Sequence, residues 1–166
     1  MKLHRIAVAT LVVLTALSAA AQSGAQKSFE AMKTLTGAWQ GTTAKGEPVE
    51  VDYRLTSGGV LMSEIQSHMK DHSEDMISMI HMDGGRLLLT HYCAMGNQPR
   101  LTATTSPDGK TITFNFLDAT NLASPDAGHM QSVIFTFIDA NHHTEEWHFA
   151  DHGKEMVEVF DLQKKG

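Results

Sequence analysis

The stretch MISMIHMDGGRLLLTHYC, Met76 to Cys93, decides how this chain folds. β-prone segments flank Gly84-Gly85, and a two-glycine loop between such segments is typical of a tight hairpin, because glycine adopts positive φ without strain. A two-residue loop also fixes the register of the two strands. It predicts one shared face of cross-strand pairs: Asp83–Arg86, Met82–Leu87, Ile80–Leu89, Ser78–His91 and Met76–Cys93.

Similar turn signals recur along the chain at intervals of about 8–14 residues, which is typical of an all-β meander. They are AKGEP (44–48), TSGG (56–59), KDHS (70–73), AMGNQP (94–99), SPDGK (106–110), DAN (139–141) and DHGK (151–154). Period-2 segments such as VEVDYRL (49–55) lie between them. Ten strands are predicted, near 38–43, 48–56, 60–67, 74–82, 86–93, 99–105, 111–118, 129–138, 143–150 and 155–163.

These elements favour an all-β, ten-stranded antiparallel up-and-down β-barrel. Short loops pair each strand with its sequence neighbour, and closure removes the two exposed edges that an open sheet would leave. Ten strands make a wider barrel than eight, so we expect a lumen that side chains do not fill completely. One short helix, Ser28–Leu35, precedes the first strand and could cap one end.

The N-terminus reads as a secretory signal peptide. Lys2 and Arg5 precede the apolar run Ile6–Leu17, which is too short to span a bilayer, and Ala19-Ala20-Ala21 offers a cleavage site. We therefore expect a signal peptide at 1–21, one domain at 22–166, and a periplasmic or secreted protein. A retained N-terminal membrane anchor is the alternative.

Composition narrows the class of partner. Removing residues 1–21 lowers Lys plus Arg from 13 to 11 and leaves Asp plus Glu at 19, so the net charge becomes −8. An acidic protein of this kind is not expected to bind nucleic acid or anionic membranes. Cys93 is the only cysteine and cannot form an internal disulfide. We expect no integral membrane segment in the mature chain, and the oligomeric state stays open.

The segment LTGAWQG, Leu35 to Gly41, follows the predicted helix and opens the first strand. It resembles the Gly-x-Trp start of the calycin superfamily, which includes lipocalins, fatty-acid-binding proteins and nitrobindin-like haem barrels. The chain also resembles a group of exported bacterial proteins with a lipocalin-like barrel. The resemblance implies a calycin-type barrel that binds a small molecule. Lys164 would take the place of the Arg that covers this Trp in lipocalins.

The resemblance implies no particular ligand. The last strand, EMVEVFDLQKK (155–165), lacks the Arg-x-Tyr pair that fatty-acid-binding proteins use for a carboxylate. It also lacks the late-strand His of the haem barrels. We therefore expect no cofactor, and binding rather than catalysis. The ligand is expected to be a small hydrophobic or amphipathic molecule.

Five residues are predicted to line the pocket. The strand that ends in His91 and Cys93 changes from apolar to polar, as expected where a strand runs from a packed floor into a cavity. Arg100 on the next strand is the candidate partner for an acidic head group. Further candidates lie on inward-facing strand positions, so the set is Tyr53, His91, Cys93, Arg100 and Phe116.

Several alternatives remain. His91, Cys93 and Met76 could form a copper site, and His91 could activate Cys93 for catalysis, although both need more converging groups than the sequence provides. The late histidines His142, His143, His148 and His152 are expected to be solvent-exposed, with haem ligation by one of them as the cofactor alternative. A protein-interaction module would instead carry a large apolar outer patch.

Overall fold

The computed structural model describes residues 23–68 and 73–166. The predicted signal peptide and nearly all of the KDHS turn therefore lie outside the described residues. Within those residues the chain forms one helix and ten strands. The elements are α1 (Gly24–Lys33), β1 (Gly37–Thr43), β2 (Pro48–Thr56), β3 (Val60–His68), β4 (Ser73–Asp83), β5 (Arg86–Tyr92), β6 (Gln98–Thr105), β7 (Thr111–Thr120), β8 (His129–Asp139), β9 (His142–Asp151) and β10 (Lys154–Lys164).

The ten strands form one closed antiparallel barrel, as the sequence predicts, with bounds within two residues of the expected ones. Every strand pairs with its sequence neighbours, and β1 closes the barrel against β10. Gly41 makes this closure possible: it pairs with Leu162, and a Cβ on it would lie 1.7 Å from the Asp161 carbonyl oxygen. No other residue type can bring β1 this close to β10 without a backbone shift.

The register predicted from the two-glycine loop is confirmed. Asp83 pairs with Arg86, and the ladder continues to Ser78 opposite His91. Gly84 has a φ of +56°, the conformation for which glycine is preferred in such turns. The last predicted pair, Met76 with Cys93, lies beyond the end of β5, so it is not part of the ladder.

The helix differs from its prediction. It begins at Gly24, four residues earlier than expected, and ends at Lys33. Ser23 is the N-cap, because its side chain accepts from the Gln26 amide, and Ser28 lies inside the helix. The Ser28 hydroxyl donates to the Gly24 carbonyl and lies 2.6 Å from Thr105 Oγ1. The prediction was wrong here because several polar residues before Phe29 could each cap the helix.

The helix covers one end of the barrel, which we call the closed end. Phe29, Met32 and Leu35 are buried in the main core there, and Trp39 Nε1 donates to the Leu35 carbonyl at 2.6 Å. Lys164 Nζ lies 5.4 Å from the centre of the Trp39 ring, where the sequence analysis expects it. No helix in the described part of the chain is long and apolar enough to cross a membrane.

The connections that follow β1, β5, β7 and β9 lie at the other end, which we call the open end. At this end the β5–β6 turn and the β7–β8 loop contact each other. Asn97 Nδ2 donates to the Gly128 carbonyl, Asn121 Nδ2 donates to the Gly96 carbonyl, and Thr120 Oγ1 donates to Gln98 Oε1. These bonds hold the longest loop of the barrel, residues 121–128, against its neighbours.

Candidate functional site

A cavity of about 500 Å³ occupies the open end of the barrel. This volume lies within the range of about 300–1,000 Å³ that is usual for small-molecule sites. Its lining is mostly apolar, and four of the ten methionines belong to it. The apolar lining residues are Ile65, Met76, Ala94, Met95, Met130, Trp147, Phe149, Met156, Val157 and Phe160. Methionine is flexible and polarizable, so such a lining can adapt to ligands of irregular shape.

The polar residues of this cavity lie mainly at its mouth. They are Thr43, Lys45, Glu47, Ser67, Glu74, Cys93 and Glu158. Lys45 Nζ lies 3.7 Å from Glu158 Oε2, and the Lys45 side chain is 74% exposed. Among the described residues that line the cavity, one lysine therefore stands with three glutamates.

A row of polar side chains crosses one wall of the barrel between this cavity and the closed end. Tyr53 pairs with Ser63, Ser63 with Ser78, and Ser78 with His91, on four consecutive strands. All four residues are buried, whereas the inward positions of a fully packed core would be expected to be apolar. His91 Nδ1 lies 2.9 Å from Ser78 Oγ, while His91 Nε2 has no hydrogen-bond partner among the described residues.

The opposite wall contributes a buried carboxylate. Glu145 on β9 is fully buried and is reached by three side chains. Tyr53 Oη donates to Glu145 Oε1, Trp147 Nε1 donates to Oε2 at 2.9 Å, and His143 Nε2 lies 3.2 Å from Oε1. These contacts satisfy a group that would be very costly to bury alone. They also join the two walls across the lumen.

The row of polar side chains and the Glu145 contacts together form what we call the buried polar layer. Burial sets the protonation state of two of its members. Desolvation, together with the neighbouring Glu145 carboxylate, raises the pKa of the Tyr53 hydroxyl well above its ordinary value, so Tyr53 stays a donor. Desolvation lowers the pKa of His91 to about 4, so its imidazole is neutral at pH 7. Tyr53 and His91 are therefore both uncharged at pH 7.

Trp147 belongs both to the cavity lining and to the buried polar layer. Its ring lines the cavity and lies 5.0 Å from the His91 ring, and its indole nitrogen donates to Glu145. A change in the buried layer therefore moves the side chain that a ligand would contact.

The structure separates the five predicted pocket residues. Cys93 lines the cavity at the open end. Tyr53 and His91 lie in the buried polar layer, where His91 contacts the cavity residue Trp147. Arg100 and Phe116 are not among the residues that line the cavity.

Arg100 and Phe116 lie away from the cavity for different reasons. Arg100 points to the outer face and pairs with Asp118, with Nε 2.6 Å from Oδ1. The register shift between Arg100 and Leu101 lies at this point of the β6–β7 ladder. Phe116 packs 4.7 Å from the His129 ring, beneath the β7–β8 loop. Neither residue approaches the cavity through these contacts.

The late histidines divide between the two faces of the barrel. The expectation of solvent exposure is wrong for His143, which is 1% exposed and packs 4.3 Å from the Trp39 ring. His142 pairs with Asp161, and His148 pairs with Glu146 and Glu155. The exposed His152 pairs with Asp151.

Sequence reasoning missed the Glu145 network entirely. The available signal was the alternation of HHTEEWHF, in which His143, Glu145, Trp147 and Phe149 share one face. The two aromatic residues, Trp147 and Phe149, indicate that this face of β9 points into the barrel. Glu145 lies on the same face, so its side chain must point inward as well. Among residues 23–68 and 73–166, no group of three His, Cys, Asp or Glu side chains could hold a metal ion.

We expect Cys93 to react slowly with the disulfide reagent DTNB. Burial raises the pKa of its thiol, which lowers the fraction of reactive thiolate, and its partly buried position at the mouth hinders a bulky reagent. The rate should be at least about tenfold below that of an accessible thiol, and lower again when the cavity holds an apolar dye.

A variant that combines Cys93→Ser with Tyr92→Cys is the matched control, because Tyr92, the residue before Cys93 and the last of β5, is 49% exposed on the outer face. Its thiol should react quickly with or without the dye. Equal rates for both proteins would show that Cys93 does not lie in a ligand-accessible cavity.

Comparison with known proteins supports the barrel and goes no further. No protein-family model matches this chain, and no curated protein matches it. Rv2717c from M. tuberculosis is similar in structure, with a TM-score of 0.59 and 15% identity, over 84% of this chain and 98% of that chain. A DUF3598-family protein of unknown function from Nostoc punctiforme PCC 73102 has a TM-score of 0.52 and 11% identity. That match covers 81% of this chain and 48% of the other, so this chain spans about half of its length. At these identities the similarity shows a shared fold alone.

Proposed function

We propose that this protein is an exported β-barrel of calycin type that binds a small, mostly apolar molecule, without a requirement for catalysis. The observation that carries the proposal is the cavity at the open end, of about 500 Å³, with ten apolar side chains in its lining. Apolar surface of this extent at a barrel mouth is stabilised when a ligand removes it from water. The Gly-x-Trp start and the lysine over Trp39 support the calycin assignment.

The identity of the ligand is best approached by native mass spectrometry of protein purified from its own host. A co-purified organic molecule of constant mass would support the proposal and name the ligand. The absorption spectrum of the same sample separates the haem alternative, because a haem protein absorbs strongly in the Soret region. A haem stoichiometric with the chain would replace the proposal.

Filling the cavity should abolish binding of a neutral apolar dye. N-phenyl-1-naphthylamine gains fluorescence in apolar surroundings, and we expect saturable binding to the wild type. Met76→Trp places a larger ring in the cavity lining and should weaken binding by at least about tenfold, which corresponds to about 1.4 kcal/mol.

The matched control for this change is Ile77→Trp, one residue further along β4. Ile77 is 38% exposed on the outer face, so the same substitution there leaves the cavity unchanged. Equal loss of dye binding in both variants, or no binding to the wild type, would contradict the proposal.

Export is tested separately from binding. The signal-peptide pattern predicts cleavage after Ala21, so intact mass measurement of protein from the periplasm or medium should give a chain that begins at Gln22. Recovery of the full-length chain from the membrane fraction would favour the retained anchor instead.

A further inference from the structure

The charge at the cavity mouth selects among amphipathic ligands. Lys45 is the one cation among the described residues that line the cavity, and its side chain is largely exposed. Glu47, Glu74 and Glu158 line the same cavity. A carboxylate ligand would bring a further negative charge within a few ångströms of these groups, well inside the screening length of about 8 Å at physiological salt.

Two polar atoms in this cavity also lack partners. Ser67 is 2% exposed, lines the cavity, and its hydroxyl has no hydrogen-bond partner among the described residues. Glu158 Oε1 is buried and likewise has no partner in that part of the chain, although Glu158 Oε2 approaches Lys45. Both oxygens can accept hydrogen bonds, and an unsatisfied buried acceptor is costly. A ligand with several N–H donors would satisfy them.

The aromatic lining fits the same chemistry. Trp147, Phe149 and Phe160 line the cavity beside these oxygens. Aromatic faces attract organic cations and pack equally well against apolar chains. Arg100, the candidate partner for an acidic head group, pairs with Asp118 on the outer face. The described lining of the cavity therefore offers acceptors, carboxylates and aromatic rings, and a single solvent-facing cation.

We propose that this cavity takes a cationic amphiphile, an apolar molecule that carries a protonated amine, and that Glu158 accepts a hydrogen bond from the ammonium group, with Ser67 as a second acceptor in the same cavity. The inference rests on the proposed function, since it specifies the ligand class of that cavity. Lys45 competes with the ligand for Glu158.

The test compares three ligands with the same ten-carbon tail by isothermal titration calorimetry of the mature chain at pH 7. Decylammonium, decanol and decanoate are cationic, neutral and anionic at this pH. We expect decylammonium to bind at least about tenfold more tightly than decanoate, with decanol between them, and added salt to narrow the difference. Decanoate binding as tightly as decylammonium would overturn the inference.

Three variants assign the selectivity to named side chains. Glu158→Gln should weaken decylammonium binding by about tenfold, the size expected when a hydrogen bond to a charged group is lost, and leave decanol within about twofold. Ser67→Ala should weaken decylammonium binding less strongly. Lys45→Gln should strengthen it, because the competing cation is removed.

Glu64→Gln is the matched control. Glu64 lies on the outer face of β3 with Glu50 and Asp52, so this change alters the net charge as Glu158→Gln does without touching the cavity. It should leave the ratio of decylammonium to decanoate affinity unchanged. An equal loss of selectivity in both variants would overturn the assignment to Glu158.

The two proposals fail in different ways. If neither the three ligands nor N-phenyl-1-naphthylamine binds, the proposed function falls and the inference falls with it. If the dye, decanol and decanoate bind while decylammonium does not, the apolar cavity stands and the cationic ligand class is wrong.

Discussion

Replacing Glu145 by leucine is expected to destabilise the barrel by about 4 kcal/mol, because each buried donor left without an acceptor costs about 1–3 kcal/mol. Three side chains would lose their acceptor. Tyr53 Oη and Trp147 Nε1 donate to the two carboxylate oxygens, and His143 Nε2 lies within hydrogen-bond distance of Oε1. Urea unfolding followed by circular dichroism measures the loss of stability.

Two further variants test the cause of this loss. Glu146→Gln is the matched control, since Glu146 is the next residue, points outward, and has a side chain that is 43% exposed. Its effect should stay within about 0.5 kcal/mol. Tyr53→Phe removes only one of the donors and should cost less than Glu145→Leu. Wild-type stability in Glu145→Leu would show that the carboxylate does not hold the two walls together.

Glu145→Leu should also affect ligand binding in the cavity. Trp147 lines the cavity and is held by Glu145 through its indole nitrogen. Glu145→Leu should therefore shift the emission of tryptophan and alter dye binding at urea concentrations where the barrel is still folded. An unchanged emission spectrum and an unchanged dye affinity would show that the buried polar layer does not influence the cavity.

The second large effect is a loss of stability at acid pH that depends on His91. Burial lowers the pKa of His91 to about 4, whereas the unfolded chain has the ordinary value of 6.5. Between these values the unfolded state binds the proton and the folded state does not. The free energy of unfolding is therefore unaffected by the protonation of His91 above about pH 6.5. It falls as the pH drops toward 4, by about 3 kcal/mol in total.

A double variant isolates this contribution from the other titrating groups. Ser78→Ala with His91→Leu removes both partners of one buried hydrogen bond, so it leaves no unpaired hydroxyl. His148 and His152 have raised pKa values because of neighbouring carboxylates, and their opposite effect on stability is common to both proteins. The unfolding free energy of the wild type minus that of the variant should fall by about 3 kcal/mol from pH 7 to pH 4. Parallel pH profiles would show that His91 titrates normally.

Much of the fold could be predicted because local signals agreed with one another. Glycine and aspartate turns set the strand boundaries, and the Gly84-Gly85 loop set a register that the structure reproduces through Ser78 and His91. Period-2 patterning then gave the inward face, since a strand offers only two faces. The helix start was less well determined, because more than one serine could cap it.

The site could be predicted only in part. Inward-facing positions such as Tyr53, His91 and Cys93 follow from alternation, but alternation does not say how high in the barrel a residue lies. Cys93 reaches the cavity while Tyr53 and His91 lie in the layer below it. Arg100 lies next to the buried Leu101 and pairs with Thr90 in a regular ladder, so alternation alone places it on the outer face, contrary to its prediction as a pocket residue.

The sequence by itself determined the number of strands, their order and the closed antiparallel barrel, because these depend on turns and on neighbours along the chain. Only the tertiary structure decided which side chains meet across the lumen. Tyr53 reaches Glu145 over 92 positions of sequence, and His91 reaches Trp147 from the opposite wall. Contacts of this kind depend on the barrel's diameter and stagger, which are global properties of the closed sheet.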